Sequence, residues 1–161
     1  MPELAISNTS PLFYLHRLRH LDLLQKLYGR ITVPAAIVNE LKAGRDQGED
    51  APEVADYSWI EVRPVRVPQL IGLITDLGPG EAEVLALALE EAGSLVILDD
   101  RLAREVAKLQ NVRITGTAGV LLKAKQEGHI SAVAPLLDQL TQLGFRLGDA
   151  VKASILRLAQ D

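Results

Sequence analysis

Short apolar runs recur along the chain, "ELAI", "RITV", "WIEVRPV", "SLVIL" and "VRITG", and stretches of helical spacing separate them. This alternation limits the fold more than any other feature of the sequence. Strands joined through helices need crossover connections, and crossovers place strands in parallel within a layered α/β fold. The helical stretches are "PLFYLHRLRHLDLLQKLYG", read as two pieces stopped by Gly29, then "AAIVNELKAG" after Pro34 at a favoured first helical position and ending at Gly44. "GPGEAEVLALALEEAG", "DDRLAREVAKLQ" and "TAGVLLKAKQEG" follow, and the tail is helical with a break between Gly144 and Gly148. Pro64 marks "WIEVRPV" as an edge-like strand, since proline cannot donate to a central ladder. Residues 45–56 are polar and hold Gly48 and Pro52, which makes them a surface loop.

The 161 residues amount to one domain spanning 1–161, long enough to bury a core without staples. Apolar residues make up 48% of the chain and aromatics only 4%, so the core must be aliphatic, as suits helices packed on a parallel sheet. With no cysteine there are no disulfides or thiolate metal sites, which fits a reducing cytoplasm. No signal segment or long apolar run is present, so neither export nor a membrane span is expected. The formal net charge is −4, so any contact with nucleic acid must come from a local basic patch or a bound cation.

Ligand crevices of open parallel sheets lie beyond the carboxyl ends of the strands. Asn8-Thr9-Ser10 follow the first strand, Asp99 and Asp100 follow "SLVIL", and Thr115, Gly116 and Thr117 stand at the end of "VRITG". A capping role competes at each position, most strongly at Thr117. It competes less well for two adjacent aspartates, because one cap suffices and the second carboxylate adds repulsion. Glu81 shares a core-facing stripe with Val84, Leu85 and Ala88, whereas Glu83 lines up with Leu87 and Glu90 nearer the solvated side. Glu40 lies on the third turn of its helix, beside Ile37 and Leu41, where the dipole gives it no particular support. Carboxylates from separate elements, Glu40, Glu81, Asp99 and Asp100, with no histidine or cysteine among them, describe a site for a hard cation.

The segments "SNTSPL", "VPAAIVNEL", "GPGEAEVLALALEEAGSLVILDDRLAREVA" and "ITGTAGVLLKAKQEGHI" resemble the PIN domain superfamily, and in particular its VapC-like DUF3368 branch. The resemblance runs over essentially the whole chain. It implies a three-layer α/β/α sandwich around a mostly parallel sheet, and a Mg²⁺- or Mn²⁺-dependent ribonuclease of the toxin–antitoxin kind. By position it places the catalytic set at Asn8, Glu40, Glu81 and Asp99. The metal would then fall to Glu40, Glu81 and Asp99, with Asp100 as an accessory acid. Thr9 or Ser10 would be the hydroxyl that follows the first-strand acid. At Asn8 the sequence departs from the family pattern, because an amide oxygen can coordinate a cation but lacks the charge. An RNA substrate, an antitoxin partner and a homodimer are implied in the same way.

On this reading the cation lowers the pKa of a bound water and neutralises charge on the phosphate during in-line hydrolysis of single-stranded or looped RNA. Arg101, Arg104, Lys123 and Lys125 are candidates for phosphate contacts, with Thr117 at the mouth. The scarcity of aromatics argues for modest base preference. Two other readings compete. In one, a catalytically weak or inactive module binds nucleic acid or receives a basic side chain of an antitoxin-like partner in its acid pocket. The other, a phosphatase or receiver domain, requires an aspartate after the first strand and a lysine after a late one. Asn8 and Thr115-Gly116-Thr117 disagree with it.

Overall fold

The computed structural model describes residues 4–74 and 76–161, with Leu70 described by its backbone. Five strands form one parallel sheet: β1 (Ala5–Ser7), β2 (Ile31–Pro34), β3 (Ile60–Arg63), β4 (Leu95–Ile97) and β5 (Arg113–Thr115). Their order is β3-β2-β1-β4-β5. Glu3, which the sequence reading includes in the first strand, lies outside the described residues. Every residue of β1 and β2 is buried, because helices cover both faces of a parallel sheet. β3 takes the edge expected from Pro64 and leaves Val62 45% exposed.

The crossovers and the tail supply α1 (Thr9–Arg17), α2 (Asp22–Tyr28), α3 (Ala35–Asp46), α4 (Gln69–Gly72), α5 (Pro79–Glu90), α6 (Arg101–Leu109), α7 (Thr117–Gln126), α8 (Ala134–Gln142) and α9 (Asp149–Ala159). α5 contacts α3, α4 and α6, while α7 contacts α1, α2 and α9, so two helical groups enclose the sheet in a three-layer α/β/α sandwich. The core between them is aliphatic, as the composition requires: Ile6, Leu12, Leu24, Ile31, Val84, Leu87, Val96 and Leu121 are at 0–1% exposure or close to it. Gly29 ends α2 with a positive φ of +75, which favours glycine.

Two boundaries differ from the sequence reading. α3 passes through Gly44 to Asp46, because Gly48, at φ +91, makes the turn that stops it. Pro34 pairs with Arg63 at the end of β2 and stands as the residue before α3, its ψ of 158 keeping it extended. The short α4 carries no sequence periodicity long enough to read.

Candidate functional site

β1 to β3 build outward on one side of the sheet, and β4 and β5 build outward on the other, so the winding reverses between β1 and β4. A crevice opens at such a reversal, beyond the carboxyl ends of the strands. Ser7 is paired with Ile97, and the Asn8 N–H donates to the Ile97 carbonyl at 3.0 Å. The residues after β1 are thereby fixed beside those after β4. A cleft of about 570 Å³ opens there, and its walls include Asn8, Thr9, Ser10, Glu40, Glu81, Asp99 and Asp100.

Most of these side chains are held by named partners. Asp99 accepts from the Thr117 N–H at 2.8 Å, the Thr117 hydroxyl at 2.6 Å and the Ser10 hydroxyl at 3.0 Å. The carboxylate thus satisfies the start of α7 and ties α1 to it. Thr9 donates its hydroxyl to Glu40 Oε1 at 3.0 Å. Asp100 is the N-cap of α6 and accepts from the Ala103 N–H at 2.9 Å. The carboxyl group of Glu81 folds back against Gly78, the residue that opens α5, where the helix dipole favours a negative charge.

Two oxygens in the cleft stand apart. Asn8 Oδ1 and Glu40 Oε2 are buried without a hydrogen-bond partner among the described residues. Burial pushes the Glu40 pKa up, and the Glu81 and Glu83 carboxylates push it further. The Thr9 hydroxyl and the nearby Gly80 amide offset part of that rise. The Gly80 amide does not reach hydrogen-bond geometry with Oε2. A side chain at Gly80 would occupy the space of the Glu40 carboxylate, so glycine is needed there for close approach. Orphaned buried oxygens are costly unless something satisfies them, and a carboxylate and an amide oxygen lining one cleft suit a hard, oxygen-preferring cation.

Among the described residues, no three acidic or histidine side chains are close enough together to make a cage by themselves. The expected compact cluster is therefore replaced by acids that share a cleft but are spaced by their own polar partners. That arrangement leaves room for a divalent cation that takes one or two carboxylates and completes its shell with water.

Several candidates change role. Thr117 is fully buried and donates to Asp99, so it acts behind the carboxylate and cannot touch a bound strand. Arg104 donates to the Leu98 carbonyl at 2.9 Å, and Arg101 is 94% exposed with a long 3.5 Å pairing to Glu105. Neither lines the cleft. Lys125 is tied to Ala159 and Asp161, and Lys123 lies 4.6 Å from the centre of the Tyr28 ring. Glu83 leaves the solvated side assigned to it: it is half-buried and accepts from the Ala36 N–H at 3.1 Å, satisfying the start of α3. Sequence reasoning also missed Glu49, Phe13, Tyr14, Phe145 and Arg146, all in the cleft wall. A tail break that holds Phe145-Arg146 between glycines was the only signal for that last pair.

A family model described as a PIN domain, DUF3368, matches residues 4–161, and the chain belongs to that family. Among curated proteins, none matches the chain. No helix among the described residues is long and apolar enough to cross a membrane.

Proposed function

Starting from a PIN-domain chain, and from a family whose members are generally divalent-metal nucleases, we propose that this protein is a Mg²⁺- or Mn²⁺-dependent ribonuclease of the VapC toxin type. The pair of orphaned buried oxygens, Asn8 Oδ1 and Glu40 Oε2, in an acid-lined cleft carries this reading. Glu40, Glu81 and Asp99, with Asn8 contributing an amide oxygen and Asp100 an accessory charge, would hold the cation. Once bound, the ion supplies charge neutralisation at the scissile phosphate and a more acidic water.

The chain's own residues do the positioning. Thr9 fixes the rotamer of Glu40, and Thr117 and Ser10 fix that of Asp99, so the oxygens facing the cleft are oriented before substrate arrives. Ser10 and Thr9 also lie in the wall, where their hydroxyl oxygens, with protons directed to Asp99 and Glu40, can accept from a bound water. The acids exclude an unaccompanied phosphodiester by repulsion, which makes cleavage conditional on the cation. Single-stranded or looped RNA is the substrate this open cleft suits.

The same acids and orphaned acceptors would receive a guanidinium well, which supports an antitoxin-like partner that inserts an arginine there. The exposed Leu73, Leu89 and Leu109 offer apolar surface for a homodimer, and the absence of cysteine suits a cytoplasmic setting. The test is cleavage of a mixed structured RNA by purified protein in Mn²⁺, Mg²⁺ or EDTA, with Asp99→Asn prepared identically. Metal-dependent cutting that vanishes in the variant is expected. Equal cutting by both proteins, or none by the wild type, overturns the ribonuclease reading in favour of a binding module.

A further inference from the structure

The chain has only two phenylalanines and three tyrosines, yet both phenylalanines and one tyrosine stand in the wall of the acid cleft. Phe13 and Tyr14 come from α1, and Phe145 comes from the segment between α8 and α9. Their rings form an edge-to-face ladder. The Phe13 and Tyr14 centroids are 5.2 Å apart at 80°, and those of Tyr14 and Phe145 are 5.1 Å apart at 83°. All three are half-buried, so part of each remains open in a protein whose core is otherwise closed over its aliphatic residues. Edge-to-face contacts hold such rings in fixed orientations. The Arg17 guanidinium lies 5.2 Å from the Phe13 centroid and occupies that end of the ladder. Tyr14 and Phe145 form the other end.

Arg146 follows Phe145 directly. It is exposed, it lines the cleft, and it makes no ion pair among the described residues. Among the described residues it is the only basic one in a wall that also carries Glu40, Glu49, Glu81, Asp99 and Asp100. A lone free guanidinium beside open aromatic rings matches a ligand that is at once planar and anionic. An unpaired nucleotide has both properties, and a base already paired in a duplex cannot reach the rings.

We infer that Tyr14 and Phe145 form a stacking platform for an unpaired nucleobase next to the scissile phosphate, and that Arg146 binds the adjoining phosphate of a single-stranded RNA. This rests on reading the acid cleft as the cleavage site. It assigns to the tail segment a role in choosing single strands, with base preference set by stacking strength.

The platform is testable without turnover. Short single-stranded RNAs carrying 2-aminopurine at successive positions are titrated into the protein in EDTA and again in Ca²⁺. Fluorescence and anisotropy are followed for wild type, Phe145→Leu, which keeps apolar bulk, and Arg146→Ala at an exposed position. Quenching at one position is expected in wild type, lost when the same strand is annealed to its complement. Phe145→Leu should weaken binding by about tenfold or more. Arg146→Ala should weaken it and make the slope of log affinity against log salt shallower by about 0.7. Strands that bind all three proteins alike, or that bind without quenching, overturn the platform while leaving the nuclease reading intact. Failure of every RNA to bind overturns both. A quenching, Phe145-dependent complex in a protein that does not cut RNA upholds the stacking of an unpaired base and overturns its placement beside a cleavage site, together with the nuclease reading.

Discussion

Gly80→Ala should leave the fold standing while damaging the cleft. The glycine sits in the first turn of α5, and an added Cβ would collide with the Oε2, Cδ and Oε1 atoms of Glu40. These atoms end a flexible side chain, so Glu40 can swing aside without moving backbone. Alanine in place of glycine within a helix gains up to about 1 kcal/mol. Displacing Glu40 forfeits its 3.0 Å hydrogen bond from Thr9, a loss of about 1 kcal/mol or somewhat more. The two terms nearly cancel, and for a chain of 161 residues the melting temperature should move by no more than about 4 °C. Mn²⁺ affinity, measured by calorimetry, should fall by about tenfold or more, because the buried, unpartnered Glu40 Oε2 is displaced from its place in the cleft. Unchanged Mn²⁺ affinity in a folded variant would refute the placement of Glu40 at the cation. A collapse in melting temperature would instead refute the claim that the collision is absorbed by the side chain alone.

Glu83→Ala, which leaves the cleft wall untouched, should cost about 0.5–2 kcal/mol in denaturant unfolding, since the Ala36 N–H at the start of α3 loses its acceptor. Glu83→Gln keeps an acceptor oxygen and should recover most of that loss. Glu40 titration makes stability pH-dependent. Its folded-state pKa lies above the ordinary value of 4.5, so in metal-free protein stability is full below that value and is lost as pH rises through the raised one. Glu40→Gln should therefore melt above wild type at neutral pH and lose that advantage near pH 4, and identical pH profiles for the two would contradict the burial described for this group.

The features legible in the sequence were those encoded within a few residues. The alternation of apolar runs and helical spacing gave the parallel α/β class, Pro64 gave the edge strand, and Gly29 gave the end of α2. The strand ends read from the sequence also meet in space, since Asn8, Thr9, Ser10, Asp99 and Asp100 all line one cleft. Boundaries failed where two competent residues competed. Gly44 and Gly48 can both stop a helix, and only Gly48 adopts the positive φ that does so.

The tertiary structure decided which distant residues meet and which oxygens are already occupied. The strand order sets β4 against β1, bringing Asp99 to Ser10 across most of the domain. It turns Thr117 inward, gives Glu83 a backbone partner on another helix, and brings Phe145 from the tail against Tyr14. Periodicity along a chain reports which face of an element is apolar, but not which element will cover it. That choice is made by the packing of whole layers, whose contacts join residues far apart in sequence. The two unpartnered oxygens of Asn8 and Glu40 follow from the same packing, since no local pattern shows whether a polar atom's partners have been supplied or withheld.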